Sequence, residues 1–247
     1  MRIIDAHAHY GEWFFPIRAT KEHDIMRIAA KYKIEKVIFS STLAIVYDLV
    51  EGNRALGFLI DMNPDYYGYV VLNPNYPELS EKMILECLSN PRFLGMKIHP
   101  DYSAQPVSCE TNIHLLDLAR KKRRVVLLHT WGEQGVRASS AVAETFPDLF
   151  VIMGHMGGDG LNGQGWRAAI GAARKLDNVY LEICGSDLHK DRIKEAVDAM
   201  GCDRILFGSD MTLIAPDFAV GMVTEAEISE EAKEAIFYTN AKKLFGI

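Results

Sequence analysis

The chain has 247 residues, of which 49% are hydrophobic and 24% charged, and its net charge at pH 7 is −6. This composition is typical of a soluble globular protein. The negative charge argues against nucleic acid and anionic membranes as partners, and the single basic run at residues 120–124 fits a solvated helix end.

Leader, membrane and cysteine signals all favour a cytoplasmic protein. No apolar stretch reaches the ~20 residues of a transmembrane helix. Arg2 is followed by a strand-like segment and not by the apolar core of a signal peptide. The four cysteines lack CxxC spacing, which indicates no disulfide framework.

Eight short apolar segments, rich in β-branched residues, alternate with segments of helical periodicity. They are predicted as strands at residues 3–8, 36–40, 67–72, 93–99, 125–129, 149–154, 179–184 and 204–208. Because these strands show little polar/apolar alternation, we expect a parallel sheet covered by helices.

Helices are predicted between the strands and at the end of the chain. Their ranges are 20–34, 77–90, 110–123, 141–146, 165–176, 191–200 and 229–247. Thr20 and Ser229 are expected as N-caps. The second unit, residues 42–64, should also contain a helix, but its position is hard to assign.

Eight strand–helix units in about 250 residues predict a single-domain (β/α)8 TIM-type barrel over residues 1–247. A doubly wound open sheet is the main alternative. That fold usually has a glycine-rich turn after its first strand, whereas this turn reads "HYGEWFFP".

Polar residues end several of the predicted strands, where barrel enzymes place their active sites. The residues, in strand order, are His7 and His9, Lys97 and His99, His129, His155, Glu182 and Asp187, and Asp210. Side chains two apart in a strand share a face, so His7 and His9 aim at a common point. Because histidine is the commonest metal ligand and aspartate a usual partner, we expect a metal site.

The segments "DAHAH", "KIHP", "LLHTW", "GHMGG" and "FGSDM" resemble the amidohydrolase superfamily, and above all its amidohydrolase-2 branch of metal-dependent hydrolases and decarboxylases. The resemblance runs from Asp5 to Ile247. It implies the same (β/α)8 barrel that the strand count predicts.

The resemblance assigns roles to the strand-end residues. It implies His7, His9, His129 and Asp210 as metal ligands, with His155 as a further ligand or as a group that polarises substrate or positions water. Asp210 would also take a proton from metal-bound water. Zinc is the expected ion, one per chain with two as the alternative, although manganese, iron and cobalt suit such donors as well.

The role of Lys97 is open at this point. Some superfamily members use a carbamylated strand-four lysine to bridge two metals, whereas a plain Lys97 would hold a substrate carboxylate or stabilise an oxyanion. Glu182 is interpreted as an ion-pair partner of Lys97. Asp5 would orient an imidazole or form a salt bridge, and His99 would contact substrate or pack in the core.

Loops over the predicted rim carry aromatic residues and Arg18. Of these, Arg18 and Trp131 are predicted to bind substrate together with His99. If the aromatic residues line the site, the substrate is a small acid that is cyclic or aromatic.

The resulting hypothesis is a metal-dependent hydrolase in which activated water attacks an amide, lactone or ester-like bond. Asp210, His155 and Lys97 would be its catalytic residues. The alternatives are a non-oxidative decarboxylase of the same branch and a metal-free lactonase. A small-molecule substrate is the expected partner, and a homodimer is the base-rate expectation for assembly.

Overall fold

Eight parallel β-strands form the centre of the fold, in the order in which they occur along the chain. The computed structural model describes residues 2–14, 16–17, 21–158, 160, 163–185 and 190–247. The strands are β1 (Ile3–Tyr10), β2 (Ile34–Ser41), β3 (Tyr66–Leu72), β4 (Phe93–Ile98), β5 (Val125–His129), β6 (Phe150–Gly154), β7 (Val179–Glu182) and β8 (Ile205–Leu206).

The last strand closes against the first. The main-chain N–H of Ala6 donates to the Phe207 carbonyl at 2.9 Å, and that of Asp210 donates to the His7 carbonyl at 2.8 Å. Ala8 and Met211 add one parallel bridge. The sheet is thereby a nearly closed barrel, and the predicted (β/α)8 fold is confirmed.

Helices connect the strands and surround the sheet. They are α1 (Glu22–Tyr32), α2 (Thr42–Val46), α3 (Leu49–Met62), α4 (Pro77–Cys87), α5 (Pro100–Ser103), α6 (Glu110–Arg120), α7 (Gly132–Thr145), α8 (Gly165–Lys175), α9 (Lys190–Met200), α10 (Pro216–Thr224), α11 (Glu230–Glu234) and α12 (Asn240–Phe245). A 3-10 turn (His155–Gly157) follows β6, and a π-helical turn (Ala235–Thr239) joins α11 to α12.

The interior of the barrel is apolar at one end and polar at the other. An apolar cluster that includes Ile4, Ile38, Leu127 and Ile152 fills the amino-terminal end. The polar strand-end residues lie beyond it, at the carboxyl-terminal end, which is where the strand ends predicted a site.

The second unit, where the sequence left the helix unplaced, contains two helices. The Ser41 hydroxyl caps α2 by accepting from Ala44 N at 3.2 Å, and the Asp48 carboxylate caps α3 by accepting from Val50 N and Glu51 N. Gly52 lets the helices cross closely, since a Cβ there would lie 2.1 Å from Ala44 N. Because two helices with separate N-caps occupy this segment, its sequence shows no single helical period.

Other helix boundaries differ from the prediction. Helix α7 begins at Gly132, nine residues before the predicted start at residue 141, because burial of Val136 and Ser139 outweighs a glycine- and serine-rich first half. Ser229 caps the last helical region as predicted, accepting from Ala232 N at 3.2 Å. Thr20, the other predicted cap, lies outside the described residues. Among the described helices, none is both long and apolar enough to cross a membrane.

Candidate active site

The carboxyl-terminal end of the barrel gathers ionisable side chains from five strands and the turns that follow them. Each of them is no more than 5% exposed: His7, His9, Lys97, His155, Glu182 and Asp210. Burying this many ionisable groups is costly unless they are paired or bind a ligand. The region is therefore the candidate active site.

His7, His9 and Asp210 form a potential metal site, since their donor atoms lie within 4.8 Å of one another. His9 Nε2 is 3.0 Å, and His7 Nε2 3.8 Å, from Asp210 Oδ1. That oxygen is buried and has no aligned hydrogen-bond donor among the described atoms. His9 Nδ1 is also buried and has no hydrogen-bond partner within the described part of the chain. Two imidazole nitrogens and a carboxylate oxygen aimed at one point fit a divalent cation.

The backbone conformation of Asp210 holds this residue beside His7. Its φ of 58° is left-handed, and its main-chain N–H binds the His7 carbonyl. Burial opposes ionisation, but the close approach and charge of His9, with the charges of His7 and His155, outweigh it and hold the pKa of Asp210 below its usual range. Asp210 is thus a carboxylate at neutral pH.

Asp5 stabilises the turn that carries Asp210. Its carboxylate accepts from Ser209 N at 3.0 Å, from the Ser209 hydroxyl and from His7 N at 3.1 Å. The two roles expected for Asp5, orienting an imidazole or forming a salt bridge, are therefore wrong: its partners are main-chain amides and a hydroxyl.

The His7 ring lies between Lys97 and Glu182. Lys97 Nζ is 3.0 Å from His7 Nε2, and Glu182 Oε2 is 2.7 Å from His7 Nδ1. The predicted Lys97–Glu182 ion pair is wrong, because the imidazole separates the two charges. Burial lowers the pKa of Lys97 to about 8.

A second cluster lies beside the first, at the ends of β4, β5 and β6. His155 Nε2 is 2.9 Å from His129 Nδ1, and His129 Nε2 is 3.1 Å from Asp101 Oδ2. The His99 ring stacks on His129 with centroids 3.9 Å apart. His129 and His155 thus contact each other here, and their metal-ligand roles stay predictions.

Two members of these clusters were not among the predicted site residues. Asp101 lies in the first turn of α5, and its hydrogen bond with His129 lowers its pKa. Cys184 Sγ lies 3.2 Å from both His7 Nδ1 and His155 Nδ1. Cys184 follows Glu182 by two residues, and this spacing was the sequence signal that both side chains share one face. Burial raises the pKa of the Cys184 thiol well above its usual value.

A cavity of about 240 Å³ opens between the two clusters. It is lined by His9, Trp13, His99, Asp101, Tyr102, His129, His155, Asp210 and Leu213. His99 thus lies where a substrate contact was predicted, and so do the predicted catalytic residues His155 and Asp210. Lys97 is not among the described lining residues. Its Nζ contacts His7 Nε2, on the side of the ring that faces Asp210, and its catalytic role stays a prediction.

The remaining predicted contacts lie elsewhere. Trp131 lines an adjoining cavity of about 310 Å³ that shares Asp101 and His129 with the first. Its ring is parallel to that of His129, with centroids 6.0 Å apart and planes 9° apart. Arg18 and Asp187 lie outside the described residues.

The chain matches a known protein family and a curated relative. A model of the family described as amidohydrolase matches residues 4–247. One curated relative, gamma-resorcylate decarboxylase from Polaromonas sp., is 23% identical over 281 residues, covering 89% of this chain and 86% of its own.

Solved structures share the fold. Dihydroxybenzoic acid decarboxylase from Polaromonas sp., with bound manganese and the inhibitor 2-nitroresorcinol, superposes with a TM-score of 0.77 at 19% identity, over 99% of this chain and 97% of that one. 5-Carboxyvanillate decarboxylase from Sphingomonas paucimobilis gives a TM-score of 0.77 at 13% identity, over 100% and 99%.

Proposed function

The chain belongs to the amidohydrolase family, and from this premise we propose that it is a metal-dependent, non-oxidative decarboxylase of a small phenolic carboxylic acid. One observation carries the choice of reaction: the curated relative that matches most of both chains is a decarboxylase of gamma-resorcylate. Hydrolysis of an amide, lactone or ester, the leading hypothesis from sequence, has no comparable support among these relatives.

His7, His9 and Asp210 are the proposed metal ligands, with His129 as a further ligand. The unsatisfied Asp210 Oδ1 and the 3.0 Å approach of His9 Nε2 support the assignment. Imidazole and carboxylate donors suit both zinc and manganese, and one solved relative holds manganese. When bound, a divalent ion would supply positive charge that stabilises negative charge on substrate oxygens.

The dimensions and walls of the cavity support a single-ring substrate. Its volume of about 240 Å³ is below the ~300–1,000 Å³ of pockets that hold drug-sized ligands. Trp13, His99, Tyr102 and His129 supply flat rings on its walls, which favour an aromatic ring by stacking.

Asp210 is the proposed proton carrier. Asp210 is ionised in the free protein, and the negative charge of a substrate carboxylate bound beside it would raise its pKa. It then takes up a proton from solvent and delivers it to the ring carbon that bears the substrate carboxylate. A C–H bond forms there, the C–C bond breaks, its electron pair restores the aromatic ring, and CO₂ leaves. His155 lines the same cavity and is the proposed group that polarises the substrate carboxylate.

The test is a substrate panel run in D₂O with manganese- or zinc-loaded protein. We expect hydroxybenzoic acids to release CO₂ and to gain deuterium at the vacated ring carbon by NMR. The His23→Ala variant, which changes an exposed histidine, is the matched control and should keep full activity. Cleavage of matched lactones, esters or anilides without CO₂ release would refute decarboxylation in favour of hydrolysis. Activity that survives chelation would indicate the metal-free alternative.

A further inference from the structure

Glu182 lies against the side of the His7 ring that faces away from Asp210. Its Oε2 is 2.7 Å from His7 Nδ1, while the opposite nitrogen, Nε2, is 3.8 Å from Asp210 Oδ1. We propose that Glu182 is the positioning residue that fixes the tautomer and orientation of His7 for metal binding. The inference rests on the metal site of the proposed function.

Two contacts define the tautomer of His7. The Lys97 amine donates to Nε2 at 3.0 Å, so Nε2 must offer a lone pair. A neutral imidazole then carries its proton on Nδ1, which donates it to Glu182. A metal ion also requires the lone pair on Nε2, so Glu182 presents His7 in the form that a metal binds.

The Glu182 carboxylate is itself held rigidly. It accepts from Cys184 N at 2.5 Å, from the Cys184 thiol at 3.0 Å and from His155 N at 3.2 Å. Gly208 leaves the space it occupies, since a Cβ there would lie 2.1 Å from Glu182 Oε1. These contacts fix the position of the carboxylate and join Glu182 to the main chain of a second site histidine, His155.

The Glu182→Gln variant tests the inference. The Cys184 main-chain N–H donates to Oε1 at 2.5 Å, which is shorter than the 3.2 Å bond from His155 N to Oε2, so we expect the amide oxygen at the Oε1 position and the amide NH₂ facing His7 Nδ1. The proton of His7 is then forced onto Nε2, where it blocks the metal. We expect Mn²⁺ affinity, measured by competition with a fluorescent chelator, to fall 10–100-fold. Ring ¹⁵N shifts of metal-free protein should show protonated Nδ1 in the wild type and protonated Nε2 in the variant.

Two further variants separate positioning from folding. Glu182→Asp keeps a carboxylate and should retain protonated Nδ1 with intermediate Mn²⁺ affinity. Tyr69→Phe removes another buried hydrogen bond inside the barrel, from the Tyr69 hydroxyl to the Ala6 carbonyl, and should leave Mn²⁺ affinity unchanged.

The outcomes distinguish this inference from the proposed function. Wild-type protein that binds no Mn²⁺ overturns both. Wild-type protein that binds Mn²⁺ while folded Glu182→Gln binds it equally well, or with Nδ1 still protonated, overturns the role of Glu182 alone. If Glu182→Gln does not fold, Glu182→Asp decides: wild-type affinity together with an unprotonated Nδ1 is then the refuting result.

Discussion

His9 Nε2 and Asp210 Oδ1 lie 3.0 Å apart, and neither residue could reach the other unless the barrel closed. His9 is near the end of β1, and Asp210 follows β8. The hydrogen bond from Asp210 N to the His7 carbonyl joins these two strands at the seam. The candidate metal site is therefore built directly on the closure of the sheet.

Replacing Asp210 by asparagine should remove the proton carrier while preserving the shape of the side chain. We expect the rate of CO₂ release to fall by about 10²–10⁴, the usual contribution of a positioned acid or base. Initial rates at saturating substrate measure the effect. A variant with more than a tenth of wild-type activity would show that the proton is carried elsewhere.

Adding Mn²⁺ to metal-free protein should stabilise the folded state. At a free concentration of 100 times the dissociation constant, the free energy of unfolding should rise by about 2.7 kcal/mol, because only the folded chain holds the site together. Urea titrations with and without Mn²⁺ measure the gain. His9→Ala should lose it, whereas His114→Ala, which changes an exposed histidine on α6, should keep it. Equal gains in both variants would contradict the assigned ligands.

Gly208→Ala should damage both stability and the site. A Cβ at this position would lie 2.1 Å from Glu182 Oε1 and 2.8 Å from His7 Cβ. Crowding of this kind costs about 1–3 kcal/mol of unfolding free energy, and we expect Mn²⁺ binding to weaken as His7 is displaced. Gly221→Ala in α10 is the matched control, since a Cβ there meets nothing within 4 Å. It should stabilise the protein by about 0.5–1 kcal/mol.

The buried Lys97 should make stability depend on pH. Its pKa is about 8 in the folded chain and ~10.4 in the unfolded chain. Between these values the unfolded chain binds more protons, so the free energy of unfolding rises with pH in this window, by up to about 1.4 kcal/mol per pH unit. Urea titrations of metal-free wild type and Lys97→Met from pH 7.5 to 10 should therefore diverge in slope. Parallel profiles would mean that Lys97 keeps an ordinary pKa.

Much of the fold could be predicted from local patterns. Runs such as residues 125–129 are apolar, short and β-branched, and the structure has β5 at Val125–His129. The strand-end rule also brought His7, His9 and Asp210 together correctly, because parallel strands in a barrel all end at one rim. Residues 42–64 and the start of α7 could not be predicted, since tertiary burial and local caps decide them.

The sequence by itself determined the barrel, the end that carries the site and most of its polar residues, because these depend on periodicity and on the order of strand ends. Only the tertiary structure decided which groups pair. His7 meets Glu182 across 175 positions, Lys97 contacts the side of the His7 ring that faces Asp210, and Asp101 reaches His129. Such pairings depend on strand register and barrel closure, which bring distant residues within hydrogen-bond distance and which no local pattern encodes.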